Sequence, residues 1–504
     1  MGRYVIGVDN GGTFIKAALY DEHGRMVSLA REASRTIIPE PGRVEINLNE
    51  LWAINCRCIA QVLAESGVPA GEVECVGFAG QGKGVYAVDS NGIAFRNGIT
   101  SSDNRSWQYT KQWMEDGTGD KVRPMTCQGL YTSHPVSILA WMKDHEPVNY
   151  QRIRWVFSMK DFLVYRMTGQ AVLDCCNQSG GSFMNLFTGQ YEKSILEYLG
   201  ISEVYEKLPP LYQPADVCGT VTKKAAAQTG LKAGTRVVTG MFDVDACSVA
   251  MGMVSGDQLC MIAGTCSVNA YLGCKPVTDK NIGLNSLYCI PGYYFIEEGS
   301  NTSAGNLDWV IKALYHGEAE ECSRKGKSVY DLLNQAVEGI GLEDGKVVFL
   351  PFLNGSMDSS RSRGVWLGMS PLDCREHMVR AAYEGVVFSH RYHVERLLKT
   401  RETPSAIRLS GGVTKSNVWL QMFADILQLP MEIVDGAELG AKGAAIAAAI
   451  GAGFYRDFME ASMETVKIKK AVMPNQGRKA VYDGKYGNFI KTMNALHGLW
   501  EDIF

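Results

Sequence analysis

The opening strand–turn–strand unit constrains this chain more than any other feature. Tyr4–Val8 and Phe14–Tyr20 are short apolar runs joined by Asp9-Asn10-Gly11-Gly12-Thr13. Asn-Gly and Gly-Gly let a backbone adopt positive φ, so the spacing predicts a hairpin with a tip nearly bare of side chains. Successive N–H groups at such a tip cradle phosphate oxygens. The Thr13 hydroxyl adds a donor, and Asp9 at the strand end suits a cation or its waters. An ordinary hairpin, with Asp9 capping its own turn, is the competing reading. The same grammar returns later as Gln258–Ala263, Gly264-Thr265-Cys266-Ser267 and Val268–Leu272. The repeat predicts two related domains facing each other across a cleft, hinged near Asp245–Gly256 where small residues cluster.

Apolar strands and amphipathic stretches alternate along the rest of the chain, which predicts an α/β fold. Leu51–Ser66, Ser137–Lys143, Asp161–Thr168, Lys415–Leu427 and Tyr482–Ile503 read as helices, and Glu74–Ala79 as a buried strand running into Gly80-Gln81-Gly82-Lys83-Gly84. Glu438–Ala445 opens a helix of small residues suited to close backbone packing. With 504 residues there is room for two to four domains. A net charge of −4 gives no polybasic footprint, so nucleic acid is not an expected partner. The most apolar stretch, Gly443 to Gly453, falls short of the ~20 residues a membrane span needs. The N-terminus lacks the pattern of a secretory signal, and a soluble, cytoplasmic protein without membrane attachment is the expectation. The fourteen cysteines contain no C-x2-C pair and sit mostly in apolar runs, which predicts structural thiols in a reducing compartment rather than a metal site.

Two further strand ends carry chemistry. Gly411-Gly412 follows the strand ending Leu409-Ser410, and missing side chains there would let a purine or an α-phosphate approach the backbone; a packing glycine is the alternative. Gly240-Met241-Phe242-Asp243-Val244-Asp245 follows the strand Arg236–Thr239. Phosphoryl transfer to an alcohol needs a carboxylate to take the hydroxyl proton, whereas a helix-capping aspartate is the bland explanation for either acid. Neither a Walker A loop nor G-x-G-x-x-G is present at these strand ends.

Taken together, Ile6–Thr13, Gly80–Gly84, Gly240–Asp243, Gly264–Ser267, Ala382-Tyr383-Glu384-Gly385 and Leu409–Gly412, followed by Ser416, Trp419, Gln421 and Ala424-Asp425, resemble the FGGY carbohydrate kinase family of the actin-like ATPase superfamily. The resemblance covers essentially the whole chain. It implies an α/β protein of two actin-like (ribonuclease H-like) domains with an interdomain cleft. The sugar-binding domain would span 1–245 and carry the catalytic base, the nucleotide-binding domain 246–470, and a closing helix 471–504. Asp243 falls on the family's catalytic base and Asp9 on its Mg2+-linked aspartate. Gly11, Gly12, Thr13, Gly264 and Thr265 match the two phosphate hairpins, and Gly411, Gly412 and Asn417 the adenosine segment. Gln81, Gly82, Lys83 and Asp103 match elements that reach the sugar, with His134 and Asp243 beside them. Ser101 replaces the Trp of the family's W-x-D-x-R element, and Leu350–Met357 departs from the family string, so no ligand contact is assigned there.

The strings around Gln81-Gly82-Lys83-Gly84, Ser101–Arg105, His134–Ser137 and Gly240–Val244 are similar to the L-xylulose/3-keto-L-gulonate kinase branch. The implied activity is transfer of the ATP γ-phosphate to a terminal primary hydroxyl of a linear ketose, with L-xylulose or 3-keto-L-gulonate as first choices. D-Xylulose, ribulose and polyols such as erythritol or glycerol stand as alternatives. An actin-fold ATPase and a non-catalytic sugar sensor are the competing classes; retention of both Asp9 and Asp243 favours catalysis. Dimers are common in the family, but the sequence itself specifies no interface.

Overall fold

In a computed structural model, described for residues 2–356, 358–359 and 361–503, two seven-stranded sheets stand on either side of a pair of helices. Met1, Met357, Ser360 and Phe504, which the domain ranges above include, lie outside the described residues, as does the end of the Leu350–Met357 string. The first sheet contains β1 (Tyr4–Asn10), β2 (Phe14–Asp21), β3 (Met26–Ala33), β4 (Val73–Gly80), β5 (Val217–Thr220), β6 (Arg236–Val238) and β7 (Met241–Phe242). The second contains β8 (Gln258–Ala263), β9 (Ser267–Gly273), β10 (Leu284–Leu287), β11 (Tyr294–Ser300), β12 (Ala406–Ser410), β13 (Met431–Val434) and β14 (Ile468–Val472).

The duplication expected from the two hairpins extends through both sheets. Across the first sheet the order is β3-β2-β1-β4-β6-β5; across the second, β11-β9-β8-β12-β13-β14. In each, two antiparallel pairings lead into a pair of parallel ones and end on an antiparallel edge strand. Strand β10 extends the second sheet beyond β11, and β7 joins β4 beside β6.

The helices follow the layers. α1 (Leu48–Ser66) begins where the Asn47 side chain accepts from the N–H groups of Asn49 and Glu50, and ends at Gly67 in the left-handed region. Its apolar face and that of α2 (Met159–Thr168) cover the outer face of the first sheet. α4 (Arg375–Leu397), α5 (Asn417–Leu427) and α7 (Lys479–Ile503) cover the outer face of the second, where Tyr482, Tyr486 and Phe489 of α7 are buried. Between the sheets lie α3 (Asp243–Ala250) and α6 (Leu439–Ala452), which pack on each other.

That central pairing depends on missing side chains. A strand alternates its side chains between two faces, and β1 and β4 send Ile6, Val8, Val76 and Phe78 outward while Gly7 and Gly77 face α6. A Cβ at Gly7 would lie 2.0 Å from the Ala441 carbonyl oxygen, one at Gly77 2.2 Å from that of Ala444, and one at Gly443 2.0 Å from that of Ala246. Backbone therefore meets backbone at all three points, as the small-residue run predicted. Helix α6 belongs to the second half of the chain but packs on β1 and β4 of the first sheet. The cut at 245/246 passes through α3, and the one at 470/471 passes through β14.

Replacing Gly443 by valine tests this contact. Neither Ala246 nor α6 can move without disturbing a sheet, so the substitution is expected to cost about 1–3 kcal/mol, the range for forced overpacking. A thermal midpoint equal to that of the parent protein would remove the contact from its central place.

Candidate active site

Three parallel strands of the first sheet stop at one level. In register, Asn10 of β1 neighbours Gly80 of β4, which neighbours Phe242 of β7. Asp9, the Gln81–Lys83 turn and Asp243 therefore emerge along a single edge, where an α/β sheet gathers ligands.

Asp9 shares the face of Gly7, and the same alternation that clears room for α6 aims its carboxylate at that helix. A Cβ at Gly440, in the first turn of α6, would lie 2.5 Å from Asp9 Oδ2. Burial pushes the Asp9 carboxyl up to about 6, against the favourable charge of Lys16. Lys16 in turn bridges to Glu438 at 2.7 Å, tying β2 to the start of α6. Asn10 faces the other way: it is fully buried, donates to Ala79 O, and accepts from Asn55 of α1 at 2.8 Å. The hairpin tip beyond it is open, with nothing within 4 Å of a Cβ placed at Gly12.

Asp243 opens α3 and is half-buried. Burial first, and then the Asp9 charge, push its carboxyl up to about 7. Lys83 lies close enough to oppose that rise. Two residues on, Asp245 is sealed, and neither of its oxygens finds a hydrogen-bond partner among the described residues. Burial and the acids Asp174, Glu297 and Asp243 drive its carboxyl well above the usual range, toward the neutral form. Of the two acids the sequence offered, Asp243 is the one open to the cleft.

The substrate-side residues divide. Gln81 donates to the Tyr86 hydroxyl at 3.0 Å and accepts from Ser101 Oγ at 2.8 Å, so the serine that replaces the family's tryptophan fixes the glutamine's orientation. Gly82 is obligatory, because a Cβ would lie 2.7 Å from the Phe242 ring and 2.9 Å from Asn177 Oδ1. Lys83 holds a left-handed φ of 66°, with its Nζ 5.8 Å from the centre of the Tyr131 ring. His134 is fully buried; its Nδ1 meets Ser182 Oγ at 3.0 Å while Nε2 has no partner among the described residues. Burial first, and then the nearby Lys83 charge, hold its imidazole neutral, with its pKa well below the ordinary value.

Asp103 is a correction. It is fully buried, its Oδ1 accepts from Arg105 N and Nε at 2.9 Å, and its Oδ2 from Val44 N at 2.7 Å and Arg105 Nη2 at 2.9 Å. Glu45 accepts from the same guanidinium at 2.8 Å. Asp103 is thus a scaffold carboxylate holding the 44–105 crossing, not the free sugar ligand expected from the sequence.

The second sheet offers the matching ends. Ile262 of β8 neighbours Ser410 of β12, so Gly264-Thr265 and Gly411-Gly412 emerge together. Gly411 has φ 108°, and a Cβ there would lie 2.1 Å from the Ala263 carbonyl oxygen; Gly412 is open. The Thr265 carbonyl accepts from Ser303 N at 2.9 Å, which braces the hairpin from below, while Thr265 and Cys266 are exposed at its tip. Asp243 and Lys83 both influence the Cys266 thiol, so this hairpin faces the first sheet's functional edge. Asn417 is exposed at the start of α5, where its Oδ1 accepts from Lys470 Nζ at 2.7 Å.

Asp9 suits Mg2+: a hard oxygen ligand at the cleft that makes no side-chain hydrogen bond among the described residues and stands beside an open phosphate-type turn, leaving other positions for phosphate and water. The buried group Asp174, Cys175 and Cys176, by contrast, is committed to the fold. Asp174 accepts from Cys176 N and Asn177 N, and Lys160 Nζ stands 3.6 Å away. All fourteen cysteines are free, as the sequence predicted.

Two facing ribonuclease H-like sheets, with acids at one strand edge and paired glycine hairpins across a cleft, define a nucleotide-dependent phosphotransferase. The particular family is equally plain: the chain belongs to the FGGY family of carbohydrate kinases, whose N-terminal domain matches residues 4–250 and whose C-terminal domain matches 259–452. It is 35% identical to the L-xylulose/3-keto-L-gulonate kinase of Escherichia coli K12, over 100% of this chain and 99% of that one. Identity is 37% to the probable L-xylulose kinase of Pasteurella multocida, over 99% and 100% of the two chains. In fold it is similar to the ligand-bound xylulose kinase of Lactobacillus acidophilus, with a TM-score of 0.91 at 20% identity and 100% coverage of both chains. The xylulose kinase of Rhodospirillum rubrum gives 0.88 at 26% identity, covering 99% of this chain and 100% of that one. The protein is a carbohydrate kinase, and ATP is the substrate its family implies. Among the described residues no helix is long and apolar enough to cross a membrane.

The role given to Asp103 has a direct consequence. Asp103→Ala leaves Arg105 buried without its main partner, a change expected to cost about 3–5 kcal/mol of stability. Denaturant titration checks it; a stable protein with a raised sugar KM would return Asp103 to the ligand set.

Proposed function

We propose that this protein transfers the γ-phosphoryl group of ATP to a terminal primary hydroxyl of a linear ketose, with L-xylulose or 3-keto-L-gulonate as substrate, in the cytoplasm. The observation that carries this reading is the convergence of Asp9, Gln81–Lys83 and Asp243 on one strand edge opposite the Gly264–Thr265 hairpin. The relatives named for these two substrates, together with the Gln81-Gly82-Lys83-Gly84 turn, support the choice of sugar.

In this reading Lys83 and His134 flank the sugar, and Asp243 orients the attacking hydroxyl and takes its proton. A carboxyl raised to about 7 is a stronger base than an ordinary aspartate and remains substantially ionised near neutral pH. Gly11, Gly12 and Thr13 from one lobe and Gly264 and Thr265 from the other present backbone N–H groups and threonine hydroxyls to the triphosphate. Gly411, Gly412 and Asn417 border the adenosine. Asp9 would hold Mg2+, which when bound neutralises charge on the phosphates. The protein's part is positioning and electrostatics, and closure of the two lobes keeps water from the phosphoryl group.

Two measurements test this. An ADP-release screen over pentuloses, hexuloses, keto-aldonates and polyols should respond to L-xylulose or 3-keto-L-gulonate; ADP release independent of any sugar would overturn the reading. Asp243→Asn keeps the shape but removes the base, so turnover should drop about 10²–10⁴-fold while ATP still binds. Retained turnover would take the base role away from Asp243.

A further inference from the structure

Residues from the second lobe enter the sugar side of the cleft. The cavity beneath Gly82 and Lys83 is lined from the first lobe by Gln128, Asn177 and Phe242, and from the second by Asn285, Ser286 and Glu297. Strand alternation explains why Glu297 is there. On β11, Ile296 enters the outer core and Phe295 the inner one, so Glu298 turns toward α4 and Glu297 toward the cleft. Glu298 is fully engaged: it meets His393 Nδ1 at 3.1 Å, Arg396 Nε at 3.2 Å and Gly283 N at 2.7 Å.

Glu297 has no such partners. Among the described residues its carboxylate makes no hydrogen bond or ion pair, and neither does the ammonium of Lys83 across the cavity, although the charge of each is felt by the other. Asp243 senses Glu297 as well. Gln128, which also lines the cavity, donates Nε2–H to Ser179 O at 2.9 Å, and its buried Oε1 has no partner among the described residues. An acid and a base that line one cavity without pairing are both free to meet the hydroxyls of a ligand.

We infer that Glu297, supplied by the second lobe, is a specificity-determining residue of the sugar pocket: it accepts a hydroxyl of a neutral ketose opposite Lys83 and disfavours a sugar carrying a carboxylate. The inference rests on the sugar-kinase reading above. Lys83 alone would attract a sugar carboxylate. Glu297 placed opposite makes the pair nearly neutral, so an anionic substrate meets a like charge from the other lobe while a hydroxyl meets an acceptor. Glu297 reaches the pocket because its sheet is docked on the first lobe, where Asn285 donates to Cys127 O at 2.7 Å and Leu287 N to Ser179 Oγ at 2.8 Å.

The test compares kcat/KM for neutral ketoses and for keto-aldonates in the parent enzyme, Glu297→Gln and Glu297→Asp, with thermal midpoints to verify folding. Glu297→Gln keeps the size and removes the charge. The ratio of keto-aldonate to ketose kcat/KM should then rise about tenfold or more, while Glu297→Asp keeps the parent's direction of preference. An unchanged ratio in a folded Glu297→Gln protein overturns the inference even though the enzyme remains a sugar kinase. If the parent enzyme gives no sugar-dependent ADP from either class, the functional reading fails and the inference falls with it. Should Glu297→Gln not fold, the parent and Glu297→Asp are read together: a preference for neutral ketoses in both supports the inference, and a preference for keto-aldonates in either overturns it.

Discussion

Everything else in this molecule is arranged around the contact between α3 and α6, where one helix backbone rests on another. Gly443 lies against the Ala246 carbonyl, and Gly7 and Gly77 admit α6 to the first sheet. Side chains at these positions would separate the sheets and lift the start of α6 away from Asp9. Such a contact gains little from interdigitated side chains; its stability comes from the apolar area of the inner core around it.

The same alternation that clears this contact also aims the chemistry. On β1, Gly7 and Asp9 share a face, so the room made for α6 and the direction of the carboxylate are one property of the pleat. On β11, Phe295 and Glu297 share the inner face and Glu298 takes the outer. Parallel register then brings the ends of β1, β4 and β7 level. No loop has to reach far, and the acids stand on rigid elements in a half-buried setting that raises the Asp9 and Asp243 carboxyls together.

Much of this could be read along the chain. Glycine turns after apolar runs are local signals, and both hairpins and the duplication followed from them, as the small-residue helix followed from its own composition. The strand ends carrying Asp9, Gln81–Lys83 and Asp243 were equally legible. What could not be read was partnership across long separations. Asp103 looks like a ligand until Arg105, Glu45 and Val44 are seen to surround it. The packing of α6, covalently part of one lobe, on the sheet of the other was equally out of reach. Glu297 was passed over, although the tandem Glu297-Glu298 inside an apolar strand was the available signal: adjacent strand residues face opposite ways, so one of the two had to enter each side of the sheet.

The chain order of α6 bears on how the protein is made. Strands β1 and β4 are complete once residue 80 has been synthesised, but the helix that covers their inner face is not finished until residue 452. Throughout that interval a nascent first lobe presents a bare, glycine-lined surface, and the second lobe still awaits β14 and α7 from the last forty residues. Neither lobe can close its core alone on the ribosome, so the two should mature late and together, and a chain interrupted before residue 452 would leave an adhesive, half-built sheet for chaperones to guard.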